Sequence, residues 1–203
     1  DILLGTQMVA KGLDFENVTL VGVINADQQL NNDDFRSQER TFDLLTQVVG
    51  RAGRGKYEGT AVIQTCNPEN DVIQIAARQD YEAFFNDELK TRKMLIYPPY
   101  CDICLIGFVG ENESKVRTAS LKLTDWLKER FVGDYNDLKI IALGPMPARV
   151  SKISNKFRYR LILKCKNSKR FRALMDELLR FTGSDKAFND VSVYIDINPE
   201  NII

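Results

Sequence analysis

The sequence contains no histidine, only four cysteines in 203 residues, and no apolar run of about 18 residues. Each shortage closes a class. A membrane-spanning helix needs roughly 20 consecutive apolar residues, so no membrane span is expected. Nothing at the N-terminus has the form of a secretory leader. The cysteines, Cys66, Cys101, Cys104 and Cys165, read as the reduced thiols of a cytoplasmic protein. Cys101-x-x-Cys104 is a lone close pair inside an apolar run. A structural zinc site needs four ligands, and with no histidine and no second close pair no metal ligand is assigned.

What is present is a soluble, globular composition, 44% apolar and 28% charged. At 203 residues the chain makes one large domain or two small ones. It begins at Asp1, without Met, directly on an apolar run, which reads as a fragment of a longer protein. The formal net charge is zero but unevenly placed. Residues 1–95 hold 10 Lys/Arg against 15 Asp/Glu, and residues 96–203 hold 18 against 13. Within 145–172 stand ten basic residues and no acid. That asymmetry points to a polyanionic partner for the second half.

The pattern along the first half predicts an α/β arrangement. Ile2-Leu3-Leu4-Gly5 reads as a buried strand, residues 6–15 as a polar loop or short helix, and 18–24 as a second near-continuous apolar strand. A helix is expected to start at Asp33 or Asp34 and to run into the stretch from Thr46 to Arg54, followed by a turn at 55–59 and a third strand at 60–65. Continuous apolar strands alternating with helices indicate a parallel sheet covered on both faces. Residues 71–95 read as one or two helices. Tyr97-Pro98-Pro99-Tyr100 then stops helical structure, and the domain boundary is placed between 96 and 97.

The second half reads β-α-β-β-α-β: strands at 101–110, 138–143, 157–166 and 191–197, and helices at 113–131 and from Ser168 to about 181. This is the split-βαβ pattern. Tyr159, Leu161, Leu163 and Cys165 alternate with Arg158, Arg160, Ile162, Lys164 and Lys166, so the cationic set is expected on an open face.

One stretch carries chemistry. In Gln47-x-x-Gly50-Arg51-x-Gly53-Arg54, helical spacing puts Gln47, Arg51 and Arg54 on one stripe. Phe42, Leu45, Val49 and Ala52 lie nearly opposite. An ordinary amphipathic helix with solvated arginines is one reading. The other is a phosphate site, because guanidinium is planar, always charged and forks onto phosphate oxygens. Gly50 and Gly53 cost about 1 kcal/mol each against Ala in a helix but let another backbone or a phosphate chain come close.

Together with Gly5-Thr6-Gln7 at a strand end, this stretch resembles motifs V and VI of superfamily 2 helicases. The resemblance narrows through Gly5-Thr6-Gln7-Met8-Val9-Ala10-Lys11-Gly12-Leu13-Asp14-Phe15, Asp34-Phe35-Arg36-Ser37-x-Glu39-Arg40, Tyr97-Pro98-Pro99-Tyr100, Leu143-Gly144-Pro145 and Asp196-Ile197-Asn198-Pro199. This series is similar to the C-terminal part of the PriA family of primosomal proteins, and it covers essentially the whole chain. It implies a partial RecA-like helicase lobe over 1–96 and a DNA-binding, ferredoxin-like and ribosomal-protein-like domain over 97–203. The implied activity is ATP-dependent 3′→5′ DNA unwinding, with recognition of abandoned replication forks and primosome assembly.

The resemblance also implies roles. Arg51 and Arg54 would stabilise charge on the transferring phosphoryl group of ATP, with Gly50 beside the nucleotide and Gln47 either contacting it or linking the two motifs. Thr6, Gln7 and Lys11 would meet a DNA strand, and Asp14 would couple that strand to nucleotide state. Arg149, Lys152, Lys156, Arg158 and Arg160 would form a second DNA-binding loop. Phe157 and Tyr159 among them are candidates for base stacking, or core residues by alternation. The family's Gly-Lys-Thr phosphate loop and Asp-Glu-x-His magnesium motif are absent, as are its zinc cysteines. ATP and Mg are therefore expected to be held mostly outside this sequence, zinc wholly so, and the fragment alone is expected to be inactive as a hydrolase. The implied partners are forked and single-stranded DNA, single-stranded-DNA-binding protein and other primosome proteins. A non-catalytic nucleic-acid or partner-binding module is the alternative.

Overall fold

A computed structural model describes residues 2–6, 17–53 and 56–202. The chain divides into two compact units, Asp1–Thr91 and Arg92–Ile203. The division falls inside a helix, five residues before the sequence-based boundary at 96. The helix continues through that point because its stop signal, the Pro98-Pro99 pair, comes later.

The first unit contains two short parallel strands, β1 (Leu20–Val23) and β2 (Thr60–Ile63), paired Leu20 to Thr60 through Val23 to Ile63. Between them run α1 (Asp27–Leu30) and α2 (Ser37–Val49); α3 (Asp71–Ala77) and α4 (Tyr81–Leu95) follow β2. Asn70 caps α3 by accepting the amides of Val72 (3.0 Å) and Ile73 (3.4 Å). The core is built from Phe42 and Leu45 of α2, Val72, Ile73, Ile75 and Ala76 of α3, and Phe84 of α4. The Phe42 and Phe84 rings stack with centroids 4.2 Å apart.

The expectation of a sheet covered on both faces does not hold for β1 and β2. Their residues alternate, with Val21, Val23, Ala61 and Ile63 turned to the helices and Leu20 and Val62 exposed at 65% and 55%. Nor do Ile2, Leu3 and Leu4 form a strand: they are exposed and carry no regular structure. An apolar run becomes a buried strand only when a second layer lies over it, and among the described residues none does.

The second unit is a four-stranded antiparallel sheet in the order β4-β5-β3-β6, from β3 (Asp102–Gly110), β4 (Ile141–Ile153), β5 (Lys156–Cys165) and β6 (Ser192–Ile197). Two helices, α5 (Glu113–Val132) and α6 (Lys169–Ser184), pack their apolar sides on it. Both begin on a side-chain cap: Asn112 accepts the Lys115 amide at 3.1 Å and Ser168 the Phe171 amide at 3.1 Å. The core joins Cys104, Ile106 and Phe108 of β3, Val116, Leu123 and Leu127 of α5, Leu161 and Leu163 of β5, and Phe171, Leu174 and Leu178 of α6.

β4 is longer than the sequence pattern predicts. The stretch expected as an Arg149–Arg160 loop is a β-hairpin closed by Ser154 and Asn155, whose φ values of 48° and 62° are those of a two-residue hairpin turn. The alternation that marks a strand is broken in β4 by two register shifts, so its second part is hidden from a period-2 reading.

Candidate functional site

The helix bearing the motif begins at Ser37, not at Asp33 or Asp34. Asp34 nevertheless sets its start: the buried carboxylate accepts the Arg36 amide at 2.8 Å and lies 3.9 Å from the Arg40 guanidinium, while the Asp34 carbonyl accepts the Ser37 amide at 3.0 Å. The helix ends at Val49 with Gly50 as its C-cap. Arg51 and Ala52 then donate their amides three residues back, to Val48 and Val49 (3.0 and 3.2 Å), tightening the chain into turns. The single helical stripe expected for Gln47, Arg51 and Arg54 is therefore corrected. Gln47 is exposed on the last turn of α2, and half-buried Arg51 follows in the turn after the cap.

Gly53 explains the break. Its φ of 76° is left-handed, and its amide donates to the Val18 carbonyl (3.0 Å) just before β1. A Cβ on Gly53 would lie 2.7 Å from the Gly59 nitrogen, and one on Gly59 would lie 2.1 Å from the Gly53 nitrogen. The close approach that these glycines allow is thus to another backbone: the stretch before β2 crosses the end of the motif. That crossing ties Gly53, at the end of the motif, to the start of the parallel ladder, where the Thr60 amide donates to the Thr19 carbonyl at 2.8 Å.

Thr6 is exposed, in a segment without regular structure. Gln7, Lys11, Asp14 and Arg54 lie outside the described residues. At the other end of the strands stands Asp27, which no motif or periodicity marks. Its carboxylate accepts the Thr65 hydroxyl and the Cys66 amide, both at 2.7 Å, joining the ends of β1 and β2. The Thr65 hydrogen bond, followed by that from Cys66, holds this carboxyl below the usual range.

In the second unit the hairpin gathers Arg149, Lys152 and Lys156, all exposed, and Arg158, half-buried. Among the described residues Lys152, Lys156 and Arg158 form no ion pair. Arg160 is different: its guanidinium donates to the Ile202 carbonyl, and its Nε is buried without an acceptor. Lys164, also expected on an open face, is buried. It donates to the Leu95 carbonyl at 2.6 Å and sits 3.6 Å from the centre of the Tyr97 ring. Burial lowers its pKa. The second face of the sheet is thus partly covered, which period-2 alternation alone does not reveal. Phe157 and Tyr159 lean on the helical core, and the Lys152 ammonium lies 4.7 Å from the centre of the Phe157 ring.

The thiols do not converge on a metal. Cys104 lies in the core with its Sγ 3.9 Å from Met175 Sδ, and Cys101 donates to the Ile96 carbonyl at 3.2 Å. Burial pushes Cys104 and Cys165 up to about 12. Among the described residues no group of three or more His, Cys, Asp or Glu could hold a metal ion, and no helix is long and apolar enough to cross a membrane.

Fold and site together define a mixed α/β protein of two units. One carries an amide and a guanidinium at the end of a helix beside parallel strands, and the other carries a cationic hairpin on an antiparallel sheet. Residues 93–200 match the family of the primosomal protein N C-terminal domain, and the chain belongs to that family. It is 42% identical to the replication restart protein PriA of Bacillus subtilis over 98% of its own length and 24% of the relative. It is 43% identical to that of Synechocystis over 81% and 19%, and 38% identical to that of Borreliella burgdorferi over 98% and 28%. The chain spans about a quarter of the length of these curated relatives.

Proposed function

We propose that this chain serves replication restart as the C-terminal part of an ATP-dependent 3′→5′ DNA helicase, supplying one wall of the ATP cleft and a DNA-binding unit. The observation that carries the reading is the extent of the likeness to replication restart proteins, which runs through both units rather than stopping at the second. In this reading the first unit is part of a RecA-like lobe. The second is a ferredoxin-like split-βαβ domain, supported by its order β4-β5-β3-β6 with β5 between the helix-linked strands β3 and β4.

The residues present fit a polyphosphate from one side. Gln47 offers an exposed amide and Arg51 a guanidinium within one turn, and among the described residues no group of three or more His, Cys, Asp or Glu could hold a metal ion. ATP, when bound, supplies the free energy of phosphoryl transfer. Arg51 and Arg54 neutralise charge on the phosphate oxygens, and a guanidinium in that role is worth about 10³–10⁵ in rate. Gln47 and Gly50 hold the turn against the nucleotide. Thr6, Gln7 and Lys11 grip one DNA strand, with Asp14 linking that grip to the cleft. The hairpin cations Arg149, Lys152, Lys156 and Arg158 hold phosphates of forked or single-stranded DNA. Arg160 instead supports the hairpin from within, through Ile202. The remaining partners are single-stranded-DNA-binding protein and other primosome proteins, in the cytoplasm.

Two measurements test the reading. In the longer protein that includes a phosphate-binding lobe, Arg54→Ala is expected to abolish DNA-stimulated ATP hydrolysis while fork binding persists; normal turnover by that variant removes the role. Titration of the 203-residue chain with forked DNA at two salt concentrations tests the second unit. Binding that weakens steeply with salt is expected, with a log–log slope of about −0.9 per phosphate neutralised on duplex. No binding at low salt would assign the hairpin to another partner.

A further inference from the structure

The tip of the β4–β5 hairpin has a composition that phosphate binding alone does not call for. Val150 is 55% exposed and Ile153 46%, and they stand among Arg149, Lys152 and Lys156 in a stretch with no acid from 145 to 172. The backbone presents them by two devices. Between Pro147 and Lys152 the strand takes five steps while β5 takes two, from Tyr159 to Phe157, so residues around Val150 are thrown out of the ladder. The Ile153–Lys156 pair lies beyond Gly110, the last residue of β3 to pair with β5, so Ile153 stands past the end of the sheet.

A lone exposed Val or Ile needs no explanation. Two at one tip, ringed by cations, match a specific chemistry: apolar side chains that enter between base steps while basic groups hold the flanking phosphates. Flat stacking is less suited here, because the nearby Phe157 ring already meets the Lys152 ammonium on its face and the core on its side.

We propose that the hairpin tip is an apolar wedge that unstacks a base step at a duplex–single-strand junction, with Val150 and Ile153 as the inserting side chains. Arg149, Lys152, Lys156 and Arg158 hold the phosphates on either side. The inference rests on the DNA-binding reading of the second unit and adds to it a local deformation of the DNA.

The test uses the 203-residue chain and a fork carrying 2-aminopurine at the junction, with a second probe ten base pairs inside the duplex. Binding is expected to raise junction fluorescence at least about twofold and to leave the internal probe unchanged. The double variant Val150→Ser/Ile153→Ser is expected to lose most of that rise while its Kd changes less than about threefold, since the phosphate contacts remain. Lys152→Ala/Lys156→Ala is expected to weaken binding about tenfold or more at low salt and to flatten the salt slope. Unchanged junction fluorescence on a saturated fork, or a full rise with the serine variant, overturns the wedge and leaves DNA binding standing. Absence of any binding overturns both. All four positions are exposed, and an unchanged melting temperature confirms that each variant is folded.

Discussion

The motif residues do their structural work through backbone. Gly53 and Gly59 lie against each other so closely that neither accepts a Cβ, and Gly53 also needs a left-handed φ. Gly59→Ala is expected to destabilise the first unit by about 2 kcal/mol or more, because the obstacle is main chain and cannot swing aside. Gly22 is the internal control: among the described residues nothing lies within 4 Å of its Cβ position, so Gly22→Ala is expected to change stability by less than about 0.5 kcal/mol. Denaturant melts of the two variants check both values. The sequence made a close approach at Gly53 legible but not its partner, since Gly59 comes from a turn whose position depends on how β2 pairs with β1. The same limit applies to Arg160 and Lys164. Their alternation with core residues was plain, while the carbonyls of Ile202 and Leu95 that receive them come from distant segments.

Among the elements, β3 is held at its entry by a small polar clasp. Asp102 accepts the Asn167 amide at 2.8 Å and the Asn198 side-chain amide at 2.9 Å, while Asn198 accepts the Ile103 amide at 3.0 Å. The Asn167 hydrogen bond, then that from Asn198, lowers the Asp102 pKa. A carboxyl depressed on folding adds stability above its unfolded pKa and loses it as pH falls through the folded one. The second unit is therefore expected to lose stability with acid below the ordinary Asp range near pH 4, and Asp102→Asn to show a flatter profile there. Melting temperature against pH, from 2 to 6, reads this out; parallel profiles would exclude Asp102 from the acid response. The clasp also gives Asp196-Ile197-Asn198-Pro199 a physical meaning, since Asn198 is where β6 ends, with a left-handed φ of 54°, and ties back to β3. At this scale the second half of the sequence was readable. The Ser168 cap places the start of α6, and the helix read at 113–131, the apolar run at 101–110 and the alternation at 157–166 place α5, β3 and β5 to within a residue. In the first half the two parallel strands fall within the stretches read at 18–24 and 60–65; what the apolar runs misjudge is their length and burial, because the strands are short and half-exposed.

For the whole molecule, each unit has a core of its own, and the second is the more extensive among the described residues. Calorimetry is expected to show two transitions, the first unit melting at the lower temperature. Phe84→Ala should lower only the first and Phe108→Ala only the second, each by removing about 3–5 kcal/mol of core packing. A single transition shifted by both variants would make the units one cooperative body. The central strand has a further consequence, one of timing. β3 is buried from Ile103 to Phe108 and hydrogen-bonds on both edges, yet its neighbours β5 and β6 come later in the chain. Roughly 80 residues separate its end from β6, so at about 5–20 residues per second a ribosome leaves this apolar strand with an open edge for roughly 4–16 seconds. During that interval it is the segment most in need of a chaperone's cover.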